Sequence, residues 1–94
     1  MPDRFKLIFF APLDPLEEIK TAVFATGAGT FPGGKYTHCC FQSLGTGQFL
    51  PVGERGAVPH IGTPDQLEKV EEARLEILVV GRDVLTHAVE ALKK

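Results

Sequence analysis

Apolar residues recur along this chain with two different periods, and the places where one gives way to the other mark its elements. Phe5-Lys6-Leu7-Ile8-Phe9-Phe10-Ala11 is almost continuously apolar, the pattern of a strand with neighbours on both faces, and Pro12 ends it. Asp14-Pro15-Leu16-Glu17 then combines an N-cap, a proline at the first helical position and a glutamate placed for a capping box. The helix it opens buries a stripe of Leu16, Ile19, Ala22 and Val23, turns Glu17, Glu18 and Lys20 to water, and meets a stop at Gly27. Gly29 to Gly34, with Pro32 inside, reads as a loop.

From His38 to Leu44 the period falls to two. Cys39, Phe41 and Ser43 share one face, and His38, Cys40, Gln42 and Leu44 the other. Gly45 and Gly47 interrupt the alternation, which predicts a β-bulge and a bent strand continuing through Gln48-Phe49-Leu50. Pro51 to Pro64 holds Gly53, Gly56, Pro59 and Gly62 and reads as a surface excursion closing a long hairpin. Thr63 to Glu72 carries conflicting signals: Thr63 with Gln66 has the spacing of a capping box, and the composition favours helix. Further on, Ala73, Leu75, Ile77 and Val79 alternate with Glu72, Arg74 and Glu76, the period of a strand with one polar face. The strand is extended back to Glu68. Gly81-Arg82-Asp83 opens a second helix with the stripe Leu85, Ala88 and Leu92.

The two helices belong to a repeat. Laying Asp83 on Asp14 also lays Leu85 on Leu16, Ala88 on Ile19 and Leu92 on Val23, each helix following an apolar strand. The resulting order, βαββα, predicts an α+β ferredoxin-like fold, an antiparallel sheet with two helices on one face. Ninety-four residues, 44% of them hydrophobic, make one small domain spanning residues 1–94, with little stability to spare.

Charge and cysteine usage narrow the classes. The net charge is −2, and lysines and arginines are scattered, so the basic footprint of a nucleic-acid binder is missing. The apolar run from Leu7 to Leu13 is too short to span a bilayer and lacks the flanks of a signal peptide, which points to a cytoplasmic protein. Two adjacent cysteines, read as strand neighbours on opposite faces, cannot readily form a disulfide with each other and are read as thiols.

Candidate chemistry centres on the Tyr36 to Phe49 stretch. His38 and Cys40, on one face of the expected strand and with His60 as a further donor, suggest a soft-metal site. Structural zinc wants four ligands, and consecutive strand residues cannot all reach one ion, so two structural residues explain the pair more simply. Gly45, Thr46 and Gly47, with Gln48, are where backbone amides could hold a small ligand such as a phosphate, against the simpler reading of a bulge. Cys39 as a nucleophile would need a neighbouring base. Glu68, Glu71, Glu72 and Glu76 read as a solvated face partnered by Lys69 and Arg74. No cofactor and no catalytic residue is implied.

Three pieces carry a family likeness: Tyr36 to Phe49, the short Ile61-Gly62, and Leu67-Glu68-Lys69-Val70-Glu71-Glu72-Ala73-Arg74-Leu75-Glu76. They resemble the PII/CutA-like domain found inserted in Nif-three-like proteins and also as a short free-standing protein. That resemblance runs from about Phe5 to the end and implies a ferredoxin-like fold, strand over the Glu68 segment, and trimers of the CutA and PII kind. The family pattern continues after its second helix into a His-Pro-Tyr-Glu-Glu motif and a last strand, whereas this sequence stops at Lys94. The dinuclear metal ligands of the longer Nif-three-like proteins belong to a flanking domain. The expectation is therefore a non-enzymatic homo-oligomer, a trimer, binding a small molecule or a protein partner at subunit clefts, with a His38 and Cys40 metal-binding protein as the alternative. Both faces of the first strand are apolar, yet two helices can cover only one face of the sheet, so association is expected from the residues as well.

Overall fold

The structure, a computed structural model, describes residues 2–56 and 62–93. Five principal elements follow in order: β1 (Arg4–Pro12), α1 (Leu16–Phe24), β2 (Phe41–Phe49), β3 (Glu68–Val80) and α2 (Arg82–Leu92), with one short 3₁₀ turn at Gly53–Arg55. The strands form one antiparallel sheet in the order β1-β3-β2. This is an α+β ferredoxin-like arrangement, and Glu68 lies in strand as the Ala73 to Val79 alternation requires. Among the described residues, no helix is long and apolar enough to cross a membrane.

Burial follows the two-residue period. On one sheet face Ala73, Leu75, Ile77 and Val79 are at most 1% exposed. Phe5, Leu7 and Phe9 lie beside them from β1. Both helices lie on that face, with Val23 of α1 and Ala88 of α2 fully buried against Ile77 and Val79, and Leu85 and Leu92 packed around them. A second cluster, Leu16 with Ala11, Ala73 and Leu75, seats the start of α1. Lys20 ties α1 to β2 by donating to Gln42 Oε1 at 3.0 Å.

Register makes the molecule long. β1 pairs with Glu72 to Val80 of β3, and β2 pairs with Glu68 to Glu76, so the strands run three abreast only from Glu72 to Glu76. Thr46 to Phe49 and Glu68 to Glu71 continue alone as a two-stranded arm. The extents are 51 × 23 × 18 Å, and the radius of gyration is 16.1 Å against about 12 Å for a compact chain of this length. A two-stranded ribbon is marginal in water without something packed on it.

Three local expectations are corrected, and one conflict of signals is resolved. α1 has Pro15 at its N-cap with no side-chain cap, because Glu17 pairs with Lys20 at 3.3 Å instead of reaching back to Asp14. β2 begins at Phe41, not His38: the chain enters through His38 at φ +56°, a left-handed conformation no strand accommodates. The register of β2 then runs without a break through Gly45 and Gly47, so there is no bulge. Thr63 and Gln66 form a turn, with Gln66 N–H donating to the Thr63 carbonyl, rather than a helix start.

Two loops are pinned to this frame. Gly29 donates to the Leu78 carbonyl and accepts from Cys39 N–H, which holds the loop after α1 along the edge of β3 beyond the end of β2. Only glycine suits that position: its φ is +81°, and a Cβ would stand 2.9 Å from the Cys39 carbonyl oxygen and 2.8 Å from the Phe24 ring. The excursion after Pro51 is clasped at its neck by Asp65, whose carboxylate accepts from Gly53 N–H at 3.0 Å.

Candidate functional site

Among the described residues, no element covers the sheet face away from the helices. The register sets its residues in rows across the three strands: Ile8, Glu76 and Phe41; Phe10, Arg74 and Ser43; Pro12, Glu72 and Gly45. Charged residues of β3 run down the middle, with apolar side chains on either flank. Phe10 is 60% exposed, Phe41 63% and Ile8 44%, which puts two phenylalanines and an isoleucine in water within one small area. An exposed apolar cluster of this kind marks an interaction surface more often than a scattered residue does.

Three of its charges pair with one another. Glu76 accepts from Arg74 on its own strand and pairs with Lys6 of β1 at 3.3 Å. The Arg74 guanidinium first, and the Lys6 ammonium second, hold the Glu76 carboxyl below the ordinary glutamate range. A paired cluster costs less to remove from water than isolated charges do, so this centre does not by itself bar the face from being covered. The sequence had shown Arg74 as a partner on the polar face of β3. Lys6 was hidden, although a lone lysine interrupting an otherwise apolar strand is the signal that could have found it.

The sequence-predicted ligand residues are placed differently. Gly45, Thr46, Gly47 and Gln48 lie in a straight strand at the sheet edge. A strand points successive amides to opposite sides, so these four do not form a concave amide cradle. The Glu72 carboxylate lies over Gly47, where a Cβ would come within 2.9 Å of its carboxyl carbon. A carboxylate there opposes an anion. Gly45 and Thr46 do border shallow clefts, one shared with Phe10 and Arg74 and the other with Leu13 and Glu71.

His38, Cys39 and Cys40 are not strand neighbours, so the facing that paired His38 with Cys40 does not occur. The His38 ring stands 5.0 Å from that of Phe24, and its Nδ1 is 3.1 Å from Thr37 Oγ1. Cys39 and Cys40 are free thiols that line a single cleft. His60 lies outside the described residues. Among the described residues no three His, Cys, Asp or Glu side chains gather closely enough to hold a metal ion.

Known proteins resemble this chain in one region of their length. No protein-family model matches it. It is 39% identical over 80 residues, 85% of its length, to the GTP cyclohydrolase 1 type 2 homolog of Mycobacterium tuberculosis, covering 20% of that protein. It is 42% identical over 71 residues to the protein of the same name in Bacillus subtilis, covering 76% of this chain and 18% of that one. Among solved structures, a Bacillus cereus protein related to NIF3 superposes with a TM-score of 0.68 at 34% identity, over 96% of this chain and 22% of the other. The chain thus spans about a fifth of the length of the curated relatives it matches.

Proposed function

Since this chain is homologous to one segment of the NIF3-family proteins, we propose that it works as a non-enzymatic, PII/CutA-like module that assembles with copies of itself, as a trimer, and takes a small molecule or a protein partner at the clefts between subunits. The observation that carries this reading is the sheet face that no described element covers, with Ile8, Phe10 and Phe41 in water around an ion-paired Lys6, Glu76 and Arg74 cluster. Burying such aromatics against a neighbour recovers about 25 cal/mol for each Å² taken from water. Two further features support closed pairing. The outer edge of β1 has no partner strand among the described residues, and the β2–β3 arm projects past the helices. An arm of this kind gains most when it lies along a neighbour's open edge. A neighbour's wall would then complete the cleft bounded by Phe10, Gly45, Thr46 and Arg74, the place where a ligand would sit.

The relatives' name speaks of a GTP cyclohydrolase homolog, and that name belongs to proteins about four times as long. In our reading, this chain does not turn over GTP by itself, since metal-assisted hydrolysis needs a converging ligand set. It works in the cytoplasm, where Cys39 and Cys40 stay reduced.

Size exclusion with light scattering tests the reading on the wild type and on Phe10→Glu. The wild type should have a trimer's mass. The variant should be monomeric with a folded circular dichroism spectrum. A wild-type monomer at micromolar concentration rejects the proposal, and a dimer keeps the buried face while rejecting threefold closure.

A further inference from the structure

Cys39 and Cys40 hold a chemical possibility that the assembly does not use. Were they consecutive residues of a strand, their side chains would leave on opposite faces, and no single group could bond both. The strand starts one residue later, at Phe41. Cys39 is anchored by its N–H to the Gly29 carbonyl at 3.0 Å, and its thiol donates weakly to the Thr37 carbonyl at 3.5 Å. Cys40 is exposed and Cys39 half-buried, and both line one shallow cleft with Phe31, Phe41, Leu78 and Glu76, whose carboxylate is already held by Arg74 and Lys6. Apart from the paired Glu76 carboxylate the walls are apolar, and the cleft carries two soft donors, with no group of three His, Cys, Asp or Glu side chains gathered closely enough to hold a metal ion among the described residues.

Two thiols without a third donor suit a centre that is soft and needs only two protein bonds. We infer that the Cys39 and Cys40 pair is a chelating site for a trivalent arsenical, with Phe31 and Phe41 flanking the group that arsenic carries. The step is a condensation. With phenylarsine oxide, the arsenic–oxygen double bond is lost, two As–S bonds form, and both thiol protons leave with the oxygen as one water. Arsenic remains trivalent, so no oxidant or reductant is required. Adjacency in sequence makes the second As–S bond intramolecular, which is what separates retention by this pair from transient capture by one thiol.

The experiment uses the full chain with phenylarsine oxide, followed by excess monothiol and intact mass spectrometry. Because Phe41 also belongs to the uncovered sheet face, it is run on the wild type and on Phe10→Glu, with Phe10→Ser in its place if the glutamate variant does not fold. One adduct per chain should survive monothiol and be released by a dithiol. Cys39→Ser and Cys40→Ser should each lower retention on the order of a hundredfold. The adduct should also raise the melting temperature, as binding to the folded state does. An adduct on the Phe10 variant alone supports the site and shows that assembly covers it. The inference is overturned by no retained adduct on either protein, by full retention in either single-cysteine variant, or by a melting temperature that falls on binding. Light scattering judges the assembly separately, so either proposal can fail while the other stands.

Discussion

The two faces of the sheet are built from the same kinds of residue and meet opposite surroundings. Phe5, Leu7 and Phe9 pack under the helices beside Leu75, Ile77 and Val79. Ile8 and Phe10, alternating with them on the same strand, stand in water beside Phe41. One face is a finished core and the other is half of one, and strand alternation distributes β1 between them. The difference teaches where to look for function in a chain whose described residues gather no metal-holding cluster. The helix-side face accounts for the fold, and the apolar residues left over are the ones the proposed association would bury. The β2–β3 arm extends the same contrast, because beyond Glu72 its ribbon has lost both β1 and the helices.

Substitutions on the two faces should therefore act on different observables. Ile77→Ala, at a position 1% exposed, removes buried volume from the finished face and should cost about 2–5 kcal/mol in urea unfolding, whatever the protein concentration. Gly29→Ala comes next: a side chain there takes a left-handed φ and meets both the Cys39 carbonyl and Phe24, for about 1–3 kcal/mol. It should also loosen the Cys39 loop, read as faster amide exchange at Cys39 than in the wild type. Phe10→Glu should leave the monomer within about 0.5 kcal/mol of an ordinary surface change. Its loss should appear as a melting temperature that no longer rises with protein concentration. If Phe10→Glu costs as much as Ile77→Ala in dilute protein, the two faces are not distinct and the comparison breaks.

The smallest expected effect is that of pH. Glu76 has its carboxyl lowered by Arg74 and then Lys6, so the stabilisation it gives is present above the unfolded-state pKa and is lost as pH falls through the lower folded value. Glu76→Gln should lower the melting temperature slightly at neutral pH, where that stabilisation is present, and flatten the acid limb of the curve, so that the two proteins converge at low pH. An unchanged acid limb would mean that the cluster contributes nothing to either the face or the fold.

Much of the fold was legible because β1, β3 and the two helices have strong periods and are held by their own core. The shift that laid α2 on α1 picked out Val23 and Ala88, which meet in the same cluster. The region around β2 was harder to read. His38 to Leu44 alternates as a strand does, but the Gly29 hydrogen bonds to Leu78 and Cys39 take the start of that stretch as a loop. Gly45 and Gly47 carried a bulge signal, and at Gly47 the glycine instead leaves room for the Glu72 side chain, a tertiary reason that local pattern cannot show. The Asp14 cap failed similarly, since Glu17 found Lys20 one turn on. Of the site, the need for a cover over β1 was legible from its doubly apolar pattern. The Lys6 and Glu76 pairing required the strand register.

The central claim is that the uncovered face is closed by copies of this chain, and molar mass in solution tests it most directly. Light scattering on the eluting wild-type protein at micromolar concentration should give three times the 10.2 kDa of the chain, falling to one chain's mass for Phe10→Glu. A wild-type mass equal to that of a single chain would contradict the account.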